Sequence, residues 1–190
     1  RNYGVAIHQG IKVTGVTKDA GRVTGVNTDA GDIAADYVVN AGGMWARDIG
    51  HMAGVAVPLH ACEHFYIVTE AMPNLTTNLP VLRVPDECAY YKEDAGKILL
   101  GAFEPNSKPW GINGIPDDFE FDSLPEDFDH FEPILESAVG RFPMLATAGI
   151  QTFFNGPESF TPDDRYILGE APELKNFFVA AGFNSVGIQS

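Results

Sequence analysis

Tyr37-Val38-Val39-Asn40-Ala41-Gly42-Gly43-Met44-Trp45-Ala46 is the stretch whose reading sets the fold. Apart from Asn40, the run to Ala41 is continuously apolar, which predicts a strand buried on both faces. Gly42-Gly43 then permits a sharp turn and close backbone approach. A short helix is predicted over 45–53. Strand, glycine turn and helix, in that order, is how α/β folds aim backbone N–H groups at a bound dinucleotide. A second run, Asn176-Phe177-Phe178-Val179-Ala180-Ala181-Gly182, reads as another buried strand entering glycine. Asn184 to Gln189 then reads as a turn opening a helix. Either turn alone is explained by the needs of a tight strand-to-helix connection. Two of them closing one lobe say more. The usual Gly-x-Gly-x-x-Gly fingerprint occurs nowhere in the chain.

Upstream lies a ten-residue echo. Val13-Thr14-Gly15-Val16-Thr17-Lys18-Asp19-Ala20-Gly21-Arg22 is followed by Val23-Thr24-Gly25-Val26-Asn27-Thr28-Asp29-Ala30-Gly31-Asp32. Two units are too few for a solenoid. The echo predicts a β-meander, each Val-rich piece a strand and each Asp-Ala-Gly a turn. From Val55 the character changes. Strands are predicted over 61–71, 88–92, 98–103 and 151–154, separated by loops rich in Pro, Asn and Gly. Between them Phe128, Phe131, Ile134, Leu135, Ala138 and Phe142 recur at helical spacing. A helix is therefore predicted over 126–141, opened by Pro125 and ended by Pro143. This middle section reads as a mixed sheet under a covering helix, inserted into a lobe made by the first and last parts. The expected bounds are 1–54, 55–156 and 157–190.

The chain has 190 residues and a net charge of −14, which excludes the basic surface that nucleic acid or an anionic membrane requires. Nine acidic residues lie between Asp117 and Glu136 without a Lys or Arg, a pattern of a solvated face, with docking of a basic partner as the other reading. Cys62 and Cys88 are too few to staple a secreted scaffold, so a reducing compartment is expected. No run approaches the ~20 apolar residues that span a bilayer. Arg1-Asn2-Tyr3-Gly4 has no signal-peptide order, and the chain ends in mid-pattern at Ser190. It is expected to be a fragment.

Three groups of side chains can carry chemistry. His60, Cys62 and His64 alternate on one predicted strand and so share a face, the arrangement of a metal-ligand set. Without a second ligand pair in view, ordinary strand packing competes, as does a pocket-lining role for His64. Tyr90 and Tyr91 must face opposite ways, one into the core and the other outward, where its phenol can meet a ligand. The glycine turns are the third.

These residues bring a resemblance into view. Val13 to Trp45, with Gly21-Arg22-Val23-Thr24-Gly25-Val26 and Ala35-Asp36-Tyr37-Val38-Val39-Asn40-Ala41-Gly42-Gly43-Met44-Trp45, resembles the FAD-dependent D-amino-acid oxidase-type oxidoreductases. His64-Phe65-Tyr66-Ile67-Val68-Thr69-Glu70, Gly156-Pro157-Glu158-Ser159-Phe160-Thr161-Pro162-Asp163 and Gly169-Glu170-Ala171-Pro172-Glu173-Leu174 look like the sarcosine and dimethylglycine dehydrogenase branch. So does Gly182-Phe183-Asn184-Ser185. The resemblance covers nearly the whole chain.

It implies an α/β (α+β) chain: part of a glutathione-reductase-type FAD-binding lobe with an inserted mixed-sheet substrate-binding lobe. It implies FAD contacts at Val13, Ala41, Gly42 and Trp45. Asn184, Ser185, Val186, Gly187, Ile188 and Gln189 would border the flavin ring at a helix N-terminus. His64 and Tyr90 match the polar pair that faces substrate, a small N-methyl amino acid. Arg83 is a candidate for the substrate carboxylate, an ordinary surface arginine being the competing reading. The implied reaction moves a hydride from the N-methyl carbon to flavin N5 and leaves an iminium ion. In the family that carbon is released as formaldehyde or passed to tetrahydrofolate by a further domain. The family's Gly-x-Gly-x-x-Gly and its covalent-FAD histidine have no counterpart here, so the isolated chain is expected neither to hold FAD nor to be active. A pyruvate dehydrogenase phosphatase regulatory subunit shares the architecture, which keeps a non-catalytic binding role open. Relatives place the protein in bacterial cytoplasm or the mitochondrial matrix.

Overall fold

Strands β1 (Val13–Asp19) and β2 (Arg22–Thr28) pair antiparallel, and their last register pair, Asp19 with Arg22, leaves only Ala20-Gly21 to turn the chain. Both have positive φ, +46° and +76°, the mirror-image turn that suits the right-handed twist of a hairpin. β3 (Ile33–Ala34) completes the meander in the order β1-β2-β3. The echoed sequence is thus two strands of one small sheet. This computed structural model describes residues 3 to 189.

The chain divides into two compact units, one of residues 1–60 with 159–190 and the other of residues 61–158. In the first, β4 (Val38–Asn40) runs parallel to β11 (Phe177–Ala181), and β10 (Ile167–Glu170) lies antiparallel on the far side of β11. Gly43–Trp45 form a 3-10 turn that leads into helix α1 (Ala46–Ala53). Val23, Ala46, Val57, Phe177 and Val179 are the centre of its core.

The expectation of a strand buried on both faces fails at β4. Val39 is 61% exposed and Tyr37 65%, whereas Asn40, the polar interruption, is 3% exposed. β4 is an edge of its three-stranded sheet among the described residues, so strict alternation sends Val39 outward and Asn40 inward. Burial of Asn40 is compensated by two bonds: its amide donates to the Ala46 carbonyl at 2.8 Å, and its Oδ1 accepts from the Gly42 N–H at 3.2 Å. The asparagine ties the glycine turn to the start of α1.

The second unit is a five-stranded sheet in the order β6-β7-β8-β5-β9. Its strands are β5 (His60–Thr69), β6 (Leu82–Val84), β7 (Ala89–Asp94), β8 (Lys97–Ala102) and β9 (Ile150–Phe160). β9 runs well beyond the expected 151–154. Pro157 lies within it, and an edge position lets the missing N–H go without a ladder partner. Helix α2 (Phe128–Arg141) opens on Asp127, whose carboxylate accepts from the His130 N–H at 3.0 Å, so the cap displaces the start from Pro125. Pro133 sits inside α2, and Pro143 begins a 3-10 turn to Thr147. Phe131, Ile134 and Ala138 of α2 belong to one core with Phe65, Ile67 and Leu100 of the sheet. The opposite face of the sheet carries the candidate site.

Candidate active site

Alternation along β5 sends Phe65 and Ile67 into the core and His64 and Tyr66 to the other face. Register then fixes what stands beside them. Tyr66 is opposite Gly101, Gly101 is opposite Tyr90, and Tyr90 is opposite Arg83. One row therefore crosses four strands as Tyr66, Gly101, Tyr90 and Arg83. The Tyr90 ring lies over Gly101. A Cβ at position 101 would stand 2.2 Å from both Cζ and Oη of Tyr90. Because none is there, the phenol leans across β8 and its hydroxyl comes within 3.1 Å of His64 Nε2.

Aromatic rings line the pair. Phe103 is 4.7 Å from the His64 ring and 5.5 Å from Tyr90. Tyr66 stacks on Phe154 at 4.7 Å. The Arg83 guanidinium sits 4.8 Å over Phe103. Burial shifts the titration of both partners. His64 is held below the usual histidine range, with Glu158 and Glu104 pulling weakly the other way. Tyr90 is pushed up to about 12, by burial first and then by Glu158, while Arg83 opposes. At neutral pH the imidazole is uncharged and the phenol keeps its proton. A ligand reaching the pair meets one ring nitrogen able to accept a proton and one hydroxyl able to hydrogen-bond.

Two carboxylates act on this pair, and they differ. Glu104 bonds His130 Nε2 at 2.9 Å. Glu158 Oε2 is buried without a hydrogen-bond partner. Gly101, Phe103, Glu104 and Glu158 were not singled out from sequence. Strand register is the signal that would have found Gly101.

The other expected positions fall as follows. Cys62 is buried, and burial pushes its thiol up while a bond to Ser107 lowers it. Cys62 and Cys88 are both free thiols. Among the described residues no three His, Cys, Asp or Glu side chains gather closely enough to hold a metal ion. Tyr91 points into the core, edge-on to Phe142 at 5.0 Å. Two cavities of the second unit, of about 310 and 330 Å³, are lined by Tyr91 and Leu82 and by Ile67 and Thr69 respectively, on the face away from His64 and Tyr90.

In the first unit, Val13 opens β1 and is half-buried. Ala41 and Trp45 are exposed around the half-buried Gly42. Asn184 is pinned, its Oδ1 accepting from the Thr161 N–H at 2.9 Å and its amide donating to Thr161 Oγ1 at 3.0 Å. Asn184 and Ser185 have φ of +49° and +67°, the left-handed backbone of a turn. Gly187–Gln189 form a 3-10 turn after it, with Val186 and Ile188 exposed; the Gln189 side chain lies outside the described residues. Among the described residues, no helix is long and apolar enough to cross a membrane.

Residues 1–190 match the protein family described as DAO, FAD dependent oxidoreductase. The chain belongs to this family. Its relatives include the 4-methylaminobutanoate oxidase (formaldehyde-forming) of Paenarthrobacter nicotinovorans, 43% identical over 98% of the chain and 23% of that protein. The mitochondrial pyruvate dehydrogenase phosphatase regulatory subunit of Mus musculus is also 43% identical, over 97% of the chain and 21% of its own length. The mitochondrial sarcosine dehydrogenase of Homo sapiens is 40% identical, over 97% and 20%. The chain thus spans about a fifth of these family members. Among solved structures, L-proline dehydrogenase from P. horikoshii superposes with a TM-score of 0.79 at 24% identity, covering 98% of the chain and 47% of that protein. Glycine oxidase from Geobacillus kaustophilus gives 0.70, also at 24% identity, over 94% and 44%. These two likenesses establish the mixed α/β fold.

Proposed function

We propose that this chain is the substrate-facing part of an FAD-dependent oxidoreductase that oxidises a small N-methyl amino acid. The His64–Tyr90 pair, part-buried and 3.1 Å apart on an aromatic-lined sheet face, carries this reading. FAD, when bound, supplies a hydride acceptor. Only an amine with a free lone pair releases hydride readily, because that lone pair stabilises the positive charge left behind. A substrate arriving as ammonium must first lose a proton. His64, kept uncharged by burial, accepts it. Tyr90, kept protonated, orients the substrate by a hydrogen bond and cannot compete as a base. Arg83 supplies the positive charge nearest the pair in its row and suits the substrate carboxylate.

The residues present fit the cofactor in type. Trp45, Val186 and Ile188 are exposed apolar side chains at the two turns of the first unit, as an aromatic ring system requires of its surroundings. Val13, Ala41 and Gly42, together with Asn184 through Gln189, are the positions proposed to hold it. The first unit would be the FAD-binding lobe and the second the substrate lobe. Transfer of the released carbon to tetrahydrofolate would require residues outside this chain.

The test uses the full-length protein. Anaerobic addition of sarcosine, dimethylglycine or 4-methylaminobutanoate should bleach the flavin absorbance, and the fastest of them names the substrate. Bound flavin that none of the three reduces would overturn the assignment. A second reading, a non-catalytic regulatory role, is favoured by the 43% identity to the phosphatase regulatory subunit. It predicts a full-length protein whose flavin, if any, no amine reduces.

A further inference from the structure

The carboxylate of Glu158 takes no part in the proton transfer and hydrogen bond assigned to His64 and Tyr90. Its Oε2 is buried and without a hydrogen-bond partner. A buried acceptor oxygen left without a donor is an open position for a ligand group. Alternation along β9 turns Phe153 to the core and puts Phe154 and Glu158 on the opposite face, where Phe154 stacks on Tyr66 in the row that holds Tyr90. The Arg83 guanidinium lies over Phe103. Glu104, the other carboxylate near the pair, is already matched by His130 at 2.9 Å.

The walls specify the kind of cation. Tyr66, Tyr90, Phe103 and Phe154 present aromatic surface on the same sheet face. Aromatic rings with one carboxylate are how proteins recognise methylated ammonium groups: ring faces attract the spread positive charge, and the carboxylate adds a net charge opposite to it.

We propose that Glu158 is the cation subsite of this sheet face and receives the methylated ammonium head of the substrate. This rests on the amine-oxidation reading and adds to it the residue that selects a cationic over a neutral substrate. The same carboxylate would also stabilise positive charge developing on the substrate nitrogen.

Calorimetric titration of the full-length protein tests this without turnover, using two carboxylate probes. Trimethylglycine carries a permanent cation; (methylthio)acetate carries a neutral thioether in its place. Glu158→Gln should weaken trimethylglycine by about tenfold or more and leave (methylthio)acetate within about twofold, and Glu158→Asp should retain most of the preference. Equal weakening of both probes would show a merely structural role and overturn the assignment. So would an unchanged preference in Glu158→Gln. A wild-type protein that binds neither probe would refute the amine reading itself, a separate outcome because it appears before any substitution.

Discussion

Gly101→Ala is the substitution on which the site's geometry is most exposed. The added methyl carbon would stand 2.2 Å from Tyr90 Cζ and Oη. Ordinary carbon contacts begin at about 3.5 Å, so the ring must retreat by about 1.3 Å. The Tyr90–His64 contact starts at 3.1 Å. A retreat of that size carries it past the limit at which a hydrogen bond retains value. Misplacement of a catalytic group by about 1 Å costs on the order of 100-fold in rate. The cost in stability should stay within about 1–3 kcal/mol, as for other overpacked positions. The assay is anaerobic rapid mixing of the full-length flavoprotein with saturating amine, read at the flavin band. Tyr90→Ala provides the control background. With the ring gone, Gly101→Ala has nothing to strike and should slow reduction no further. An unchanged rate in Gly101→Ala alone, or an equal loss in the Tyr90→Ala background, would refute the reasoning.

Three further outcomes are expected. Phe65→Ala removes a fully buried ring that meets His130 and Phe153, and should cost about 3–5 kcal/mol in denaturant unfolding. Ala20→Gly relieves a left-handed alanine in the first hairpin and should raise stability by about 1 kcal/mol in the same assay. His64 has a folded-state pKa below its unfolded value, so below pH 6.5 the unfolded chain binds the extra proton and stability falls with pH. Melting temperature should therefore drop less steeply below pH 6.5 in His64→Asn than in the wild type, and identical slopes would contradict the burial argument.

Much of the local structure is legible in the sequence because it follows from periods of two and 3.6. The echo around Asp19-Ala20-Gly21 specifies a hairpin, and Phe131, Ile134 and Ala138 specify a helix face. Tyr90 and Tyr91 divide between two faces by alternation alone. What stays hidden depends on partners distant in sequence. Val39 looks like core until the sheet order leaves β4 at an edge. Asn40 looks like an interruption until Gly42 and Ala46 are seen to bond it. Gly101 looks like any strand glycine until register sets it beneath Tyr90. Glu158, within a recognisable motif, shows its unpartnered oxygen only when its surroundings are known.

The pairing of His64 with Tyr90 as the substrate-facing machinery is tested most directly by single-turnover flavin reduction in the full-length protein, wild type against His64→Ala. Sarcosine, dimethylglycine or 4-methylaminobutanoate, whichever bleaches the wild-type flavin, is the substrate to use. The rate at saturation and pH 7 should fall by about 100-fold or more in the variant. It should recover in part as pH rises and the amine arrives already deprotonated. A variant that reduces its flavin at the wild-type rate across the pH range would contradict the account.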